Sequence, residues 1–275
     1  MAGTAFRAAY TAVMAAAMLA LGTFAGAAQP ASQDPWPDLA HQIFRDRPLL
    51  DGTGLIALDM PYRAVDAAVV PLTVRNMLPA GDPRQVKGIT IVIDENPSPV
   101  AAAFSFGPKA GISAISTRVR VNSYTNVHAV AELSDGKLYV VKTYVKAAGG
   151  CAAPALKIAS EANIHVGEMR FRQFEPANAT PTGTRREAQM MIRHPNNSGL
   201  QMDQVSHLYV PAFFVDDLKV WQGDDLIFAM EGGISISENP SIRFSYVSNG
   251  ASPFRAQAVD TDKHVYKGEW PAAGM

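Results

Sequence analysis

One residue has the chemistry to hold a cargo covalently. Cys151 is the only cysteine in the chain, and it stands in a run of very small residues, with Gly149 and Gly150 before it and Ala152, Ala153 and Pro154 after it. A lone thiol cannot close an internal disulfide, so it is buried and inert, paired with another chain, or reactive by design. Structural cysteines are usually packed among large apolar side chains. Here the glycines free the backbone and leave the sulfur without neighbouring bulk. The pattern predicts an exposed attachment point, with Gly149 and Gly150 forming a flexible arm able to enter a narrow site on another protein. The sequence places no histidine near the thiol, and the nearest charges, Lys146 and Lys157, lower its pKa only if they fold back toward it. A catalytic cysteine needs a positioned base. A passive carrier fits better than a self-sufficient enzyme.

Other constellations are weaker. Met190, Met191, His194, Met202 and His207 lie close in sequence, and Met with His suits copper. Met190 and Met191 fall in a predicted strand, however, and His194 ends it, so no metal site and no cofactor is assigned. His128 reads as a strand residue. The pairs Asp94 and Glu95, Asp216 and Asp217, and Asp224 and Asp225 read as solvated turn residues. No phosphate loop, dinucleotide fingerprint or zinc-ligand spacing is present.

The elements that must position Cys151 are strands. Ile89–Ile93 is rich in β-branched residues and leads into Asp94-Glu95-Asn96-Pro97. Val69–Val74 reads as a strand whose Pro71 points to an edge or a strand start. Val130–Leu133 and Leu138–Val145 flank Ser134-Asp135-Gly136-Lys137, and Leu218–Trp221 and Leu226–Ala229 flank Gln222-Gly223-Asp224-Asp225; both are hairpins. Met169–Phe171 and Glu187–Ile192 are further strands. Ile234–Ser237 runs into Glu238-Asn239-Pro240 and then Phe244, as Ile91–Ile93 runs into Glu95-Asn96-Pro97 and then Phe104. The expected fold is all-β, two immunoglobulin-like sandwiches of similar topology joined by a short Gly/Ala/Pro linker.

Arg7, the apolar stretch from Ala8 to Leu21 and Ala25-Gly26-Ala27 form a secretory signal pattern. The predicted layout is a signal peptide at 1–27, a flexible N-terminus at 28–36, a first sandwich at 37–146, a linker carrying Cys151 at 147–159 and a second sandwich at 160–275. A periplasmic location follows, in which the unpaired thiol faces an oxidising compartment. The formal net charge of −1 gives no reason to expect nucleic acid or an anionic membrane surface as partner.

Val145–Cys151 resembles the end of the sulfur-oxidation protein SoxY, whose terminal arm carries Gly-Gly-Cys-Gly-Gly; Asn96-Pro97-Ser98-Pro99 and Arg118-Val119-Arg120 resemble it too. Ile192-Arg193-His194-Pro195, Gly199-Leu200, Pro211–Phe214 and Asn239-Pro240 with Phe244 follow SoxZ in order. The chain is thus similar to fused SoxYZ-like carriers associated with quinoprotein dehydrogenases. The resemblance implies a non-enzymatic carrier that takes a sulfur fragment, of the thiosulfate-oxidation type, on Cys151 and presents it to periplasmic sulfur-oxidation enzymes or oxidoreductases. The alternative is a non-covalent accessory module for a quinoprotein dehydrogenase. Two departures stand out. The SoxY arm ends freely, whereas this chain continues past Pro154 without the second glycine pair. Asn196-Asn197-Ser198 replaces the more usual Met-Glu-Thr of SoxZ, so contacts made there are expected to differ.

Overall fold

A computed structural model describes residues 34–154, 165–174 and 185–272. The expected signal peptide, residues 28–33 of the N-terminus and residues 155–159 of the linker lie outside the described residues.

Among the described residues, α1 (Trp36–Phe44) comes first and fifteen strands follow. The first half holds β1 (Leu49–Asp51), β2 (Ile56–Asp59), β3 (Val70–Asn76), β4 (Val86–Ile93), β5 (Val100–Phe106), β6 (Ala114–Val119), β7 (Thr125–Leu133) and β8 (Leu138–Val145). The second holds β9 (Met169–Phe174), β10 (Arg185–Ile192), β11 (Val215–Gln222), β12 (Asp225–Gly232), β13 (Ser241–Val247), β14 (Phe254–Asp260) and β15 (Val265–Trp270). β3, β6 and β10 alternate buried and more exposed residues, as half-buried strands should. β4 and β7 are mostly buried along their length. The reason is α1: its Trp36, Leu39, Ile43 and Phe44 pack on Val92, Val130 and Leu138, covering the outer face of that sheet. Trp36 is therefore part of a helix, not of a flexible N-terminus as the sequence suggested.

The fold is all-β, as expected; it is built on two sheets, and the halves are joined more closely than by a linker. One sheet runs β1-β8-β7-β4-β5-β12-β11-β14-β15 and the other β2-β3-β6-β13-β10-β9. Both cross from the first half to the second, through the antiparallel pairs β5–β12 and β6–β13. Phe104 meets Phe228 at 6.2 Å and Phe228 meets Phe244 at 5.1 Å between ring centres, so aromatic packing continues across the seam. Each strand from β2 to β8 has its counterpart seven strands later, and the two orders mirror one another about the seam.

The similar topology is present, yet not through the motif that suggested it. Asn96-Pro97 connects β4 to β5 within one sheet, whereas Asn239-Pro240 leads into β13 of the other. Ile234–Ser237 is not a strand; only Ile236 bridges, to Val119. Pro71 is the second residue of β3, outside the stretch from Thr73 to Asn76 that pairs with β2, which spares a ladder that proline cannot supply.

Candidate functional site: a docked cysteine at the seam

β8 ends at Val145, and residues 146–153 then lie down along the seam. Lys146 N donates to Tyr62 O (2.8 Å), Gly149 N to Asn122 O (2.8 Å) and Gly150 N to Val121 O (3.0 Å). From the second half, Ser198 Oγ donates to Cys151 O, and Gln201 Nε2 donates to Ala153 O (3.0 Å). Cys151 is fully buried, at 0% exposure. This corrects the expectation of an exposed thiol on a flexible arm. Small side chains did not leave the sulfur bare; they let the segment sink between the halves.

The two glycines serve that docking. Gly149 has φ +78°, a conformation in which L side chains are strained. At Gly150 a Cβ would fall 2.0 Å from Ala67 O and 2.6 Å from Val121 O. Both obstacles are backbone, so only glycine lets the chain lie this close.

Burial pushes the Cys151 thiol up to about 11, with the Arg120 guanidinium pulling partly the other way. In the docked state the sulfur is therefore protonated at neutral pH and a poor nucleophile. Lys146 stands over the Tyr62 ring at 4.8 Å, and Lys157 lies outside the described residues. The cation beside the thiol is Arg120. In the sequence Arg120 is legible only as part of a strand; it lies 31 positions from Cys151, and no local pattern links the two.

Arg120 is 1% exposed. Its Nη1 donates to Gly150 O (3.2 Å) and its Nη2 to Asn196 O (3.4 Å), while Nε has no partner. Among the described residues no carboxylate lies within ion-pair distance of it, although Glu238 and Asp66 act on it from farther away. Burial is the main influence on it and pushes its pKa down. Its backbone is pinned by Asn96, whose Nδ2 donates to Arg120 O (2.8 Å) and to Ser235 Oγ (2.8 Å), and whose Oδ1 accepts from Asn122 N (2.8 Å). Asn196, in turn, donates to Ile236 O (3.3 Å) and accepts from Val215 N (3.2 Å). Ser198 thus holds the cysteine segment directly, and Asn196 only through Arg120.

The remaining candidates go elsewhere. Asp94 is not a solvated turn residue: it is buried, 2.9 Å from His128 Nδ1, and Trp36 stacks on that imidazole at 3.5 Å. Asp216 and Asp217 lie in β11 and Asp225 opens β12, so none of these three is a turn residue. Met190 is in the core, His194 is buried 3.7 Å from Asp260, and Met202 is exposed. Among the described residues no group of His, Cys, Asp and Glu has the arrangement to hold a metal ion. An open cleft of about 450 Å³ between β11, β14 and β15 is lined by Trp221, Asp224, Arg255 and Lys267, and none of these residues holds the cysteine segment.

A double sandwich continuous through both sheets, with a lone thiol seated where its halves meet, defines a two-module β protein organised around one cysteine. Family comparisons then assign each half. Residues 40–151 match the family described as sulfur oxidation protein SoxY, and residues 174–271 match the family described as sulphur oxidation protein SoxZ. The chain belongs to these families, with one SoxY and one SoxZ domain fused in a single polypeptide. Among solved structures, the sulfur carrier protein SoxY from Chlorobium limicola f thiosulfatophilum is 28% identical, covering 41% of this chain and 91% of its own, with a TM-score of 0.35. A superoxide reductase (neelaredoxin) from Ignicoccus hospitalis is 10% identical over 33% of this chain and 78% of its own, with a TM-score of 0.29. A beta-glycosidase from Bacteroides vulgatus is 8% identical over 79% of this chain and 24% of its own, with a TM-score of 0.24. None of these superpositions is close enough to carry an argument. No curated protein matches the chain.

Proposed function

We propose that this protein is a periplasmic carrier in sulfur oxidation, which takes a sulfur-containing fragment on the Cys151 thiol and presents it to partner enzymes. The observation that carries the reading is positional. The SoxY match ends on Cys151 itself, the chain's one cysteine, at the seam between the SoxY and SoxZ halves.

Burial changes how such a carrier works. A docked thiol with a pKa of about 11 does not load; the segment must first lift. Its side chains are mostly a methyl group or none, so little hydrophobic area anchors it, and each hydrogen bond contributes about 1 kcal/mol net. Local opening at a cost of a few kcal/mol is within the range that native proteins sample. The closed state then shields a reactive adduct from water and stray thiols, and the open state offers it to an enzyme. The bond to sulfur prevents loss by diffusion and raises the local concentration at the next site. Because the chain continues past Pro154, the segment lifts as a loop held at both ends, which suits a shallow partner site.

A second reading draws support from the burial itself: an accessory module for a quinoprotein dehydrogenase, with Cys151 as a core residue. The two readings part on Cys151→Ala expressed in cells lacking the wild-type gene. The carrier reading expects sulfur-compound oxidation to be abolished while the variant stays folded. Undiminished oxidation in those cells would leave only the accessory role.

A further inference from the structure

The buried guanidinium beside Cys151 has no carboxylate in contact among the described residues; Glu238 and Asp66 act on it only from a distance. Arginine offers five N–H donors and stays protonated in proteins. Arg120 spends one N–H each on two neutral carbonyls at 3.2 and 3.4 Å, and its Nε is unpaired at 1% exposure. Buried charges are ordinarily paired, because leaving one unpaired is costly. One of the two carbonyls belongs to Gly150, the neighbour of Cys151, and Arg120 is the cation whose charge acts on the thiol itself. Arginine is also the side chain whose planar fork suits oxyanions.

We propose, resting on the carrier reading above, that Arg120 is the specificity-determining residue for the cargo: it is the counter-ion of an oxyanion-terminated adduct on Cys151 and keeps that adduct docked. With such an adduct in place, Arg120 exchanges its two long bonds to neutral carbonyls for charge-assisted bonds to an anion. A neutral adduct of similar size gains nothing from the guanidinium and strains the packed seam. The loaded segment is therefore closed for anionic cargo and open for uncharged cargo.

Chemical loading tests this without any biological partner. Tetrathionate converts the Cys151 thiolate to Cys–S–S–SO₃⁻ and releases thiosulfate, its central S–S bond supplying the oxidising equivalent. tert-Butyl methanethiosulfonate converts the same thiolate to neutral Cys–S–S–C(CH₃)₃, whose terminal group is similar in size to the sulfonate, and releases methanesulfinate. Both are brought to completion by intact mass, in urea where the closed thiol resists, and the protein is returned to native buffer. Amide hydrogen exchange is then read on the peptide spanning residues 146–153. Protection is expected to be at least tenfold greater with the anionic adduct in the wild type, to be equal for the two adducts in Arg120→Gln, and to be partly retained in Arg120→Lys. Equal protection in the wild type, a comparison that needs no variant to fold, overturns the proposal, as does a difference that survives in Arg120→Gln. Failure of the carrier reading looks different: protein isolated from its own cells carries nothing on Cys151, whatever the chemically made adducts do.

Discussion

Two buried charges in the second half and at the seam are handled in opposite ways. Asp260, at 0% exposure, accepts from Tyr266 Oη (2.8 Å) and His264 N (2.9 Å), lies 3.0 Å from His264 Nδ1 and has His194 Nε2 at 3.7 Å. Burial alone raises its pKa, but the hydrogen bonds from Tyr266 and His264 outweigh that and hold its carboxyl below the usual range. Arg120 is as deeply buried and has two long bonds to carbonyls. The first is a charge the fold has solved. The second is a charge left with spare donors, next to the one residue able to gain a negative group. A buried ion that serves only stability is surrounded by partners; one that awaits a ligand is not.

The largest effect expected separates these two sites. Asp260→Ala orphans several donors in the core and should cost about 3–5 kcal/mol in urea unfolding. Arg120→Met removes an uncompensated charge together with its two weak bonds, so its cost should stay below about 2 kcal/mol. Equal losses would erase the contrast.

Next in size is Gly150→Ala. The added methyl meets backbone oxygens on two sides, so the segment should lift instead of adjusting, and Cys151 should react with Ellman's reagent about 100-fold faster, roughly 2.7 kcal/mol of docking free energy. Gly149→Ala strains only its own φ and should cost closer to about 1 kcal/mol. If the ranking reverses, tight packing at Gly150 is not what closes the site.

The thiol gives a pH window. Its folded pKa of about 11 lies above the ordinary thiol value of 9.0, so docking stabilises the neutral form. That contribution is complete below about pH 9 and is lost as pH rises toward about 11, because the unfolded chain releases its proton first. The wild type should thus lose stability relative to Cys151→Ala across that window, by up to about 2–3 kcal/mol, in denaturation followed from pH 8 to 11. A flat difference would mean that the thiol is not docked in solution.

Ser198→Ala is the mildest case. It removes the hydroxyl that donates to Cys151 O, worth about 1 kcal/mol, and should raise thiol reactivity about fivefold without changing the unfolding midpoint beyond the loss of that bond.

Strands and hairpins were legible in the sequence because period-two burial and Asp-Gly or Gly-Asp turns are local signals. Cys151 stands out in the sequence as the lone thiol. Its burial was not legible there, because Gly149, Gly150 and Ala152 look the same whether they free a segment or allow it to pack; the decision rests with Ala67, Val121 and Ser198, all distant in sequence. Arg120 was hidden for the same reason. The helix at Trp36 was missed because residues 28–36 are polar and proline-rich, although proline is well placed in a first turn. The continuity of the sheets depends on strand pairs such as Ile115 with Phe244, which no composition reveals.

The central claim, that Cys151 bears cargo, is tested most directly by intact mass of the protein isolated from its own cells without reductant. The expected spectrum shows mass increments of sulfur or sulfonate that map to the peptide containing Cys151, vanish on reduction and are missing from Cys151→Ala. A single unmodified mass under active sulfur oxidation, or the same increments in Cys151→Ala, would contradict it.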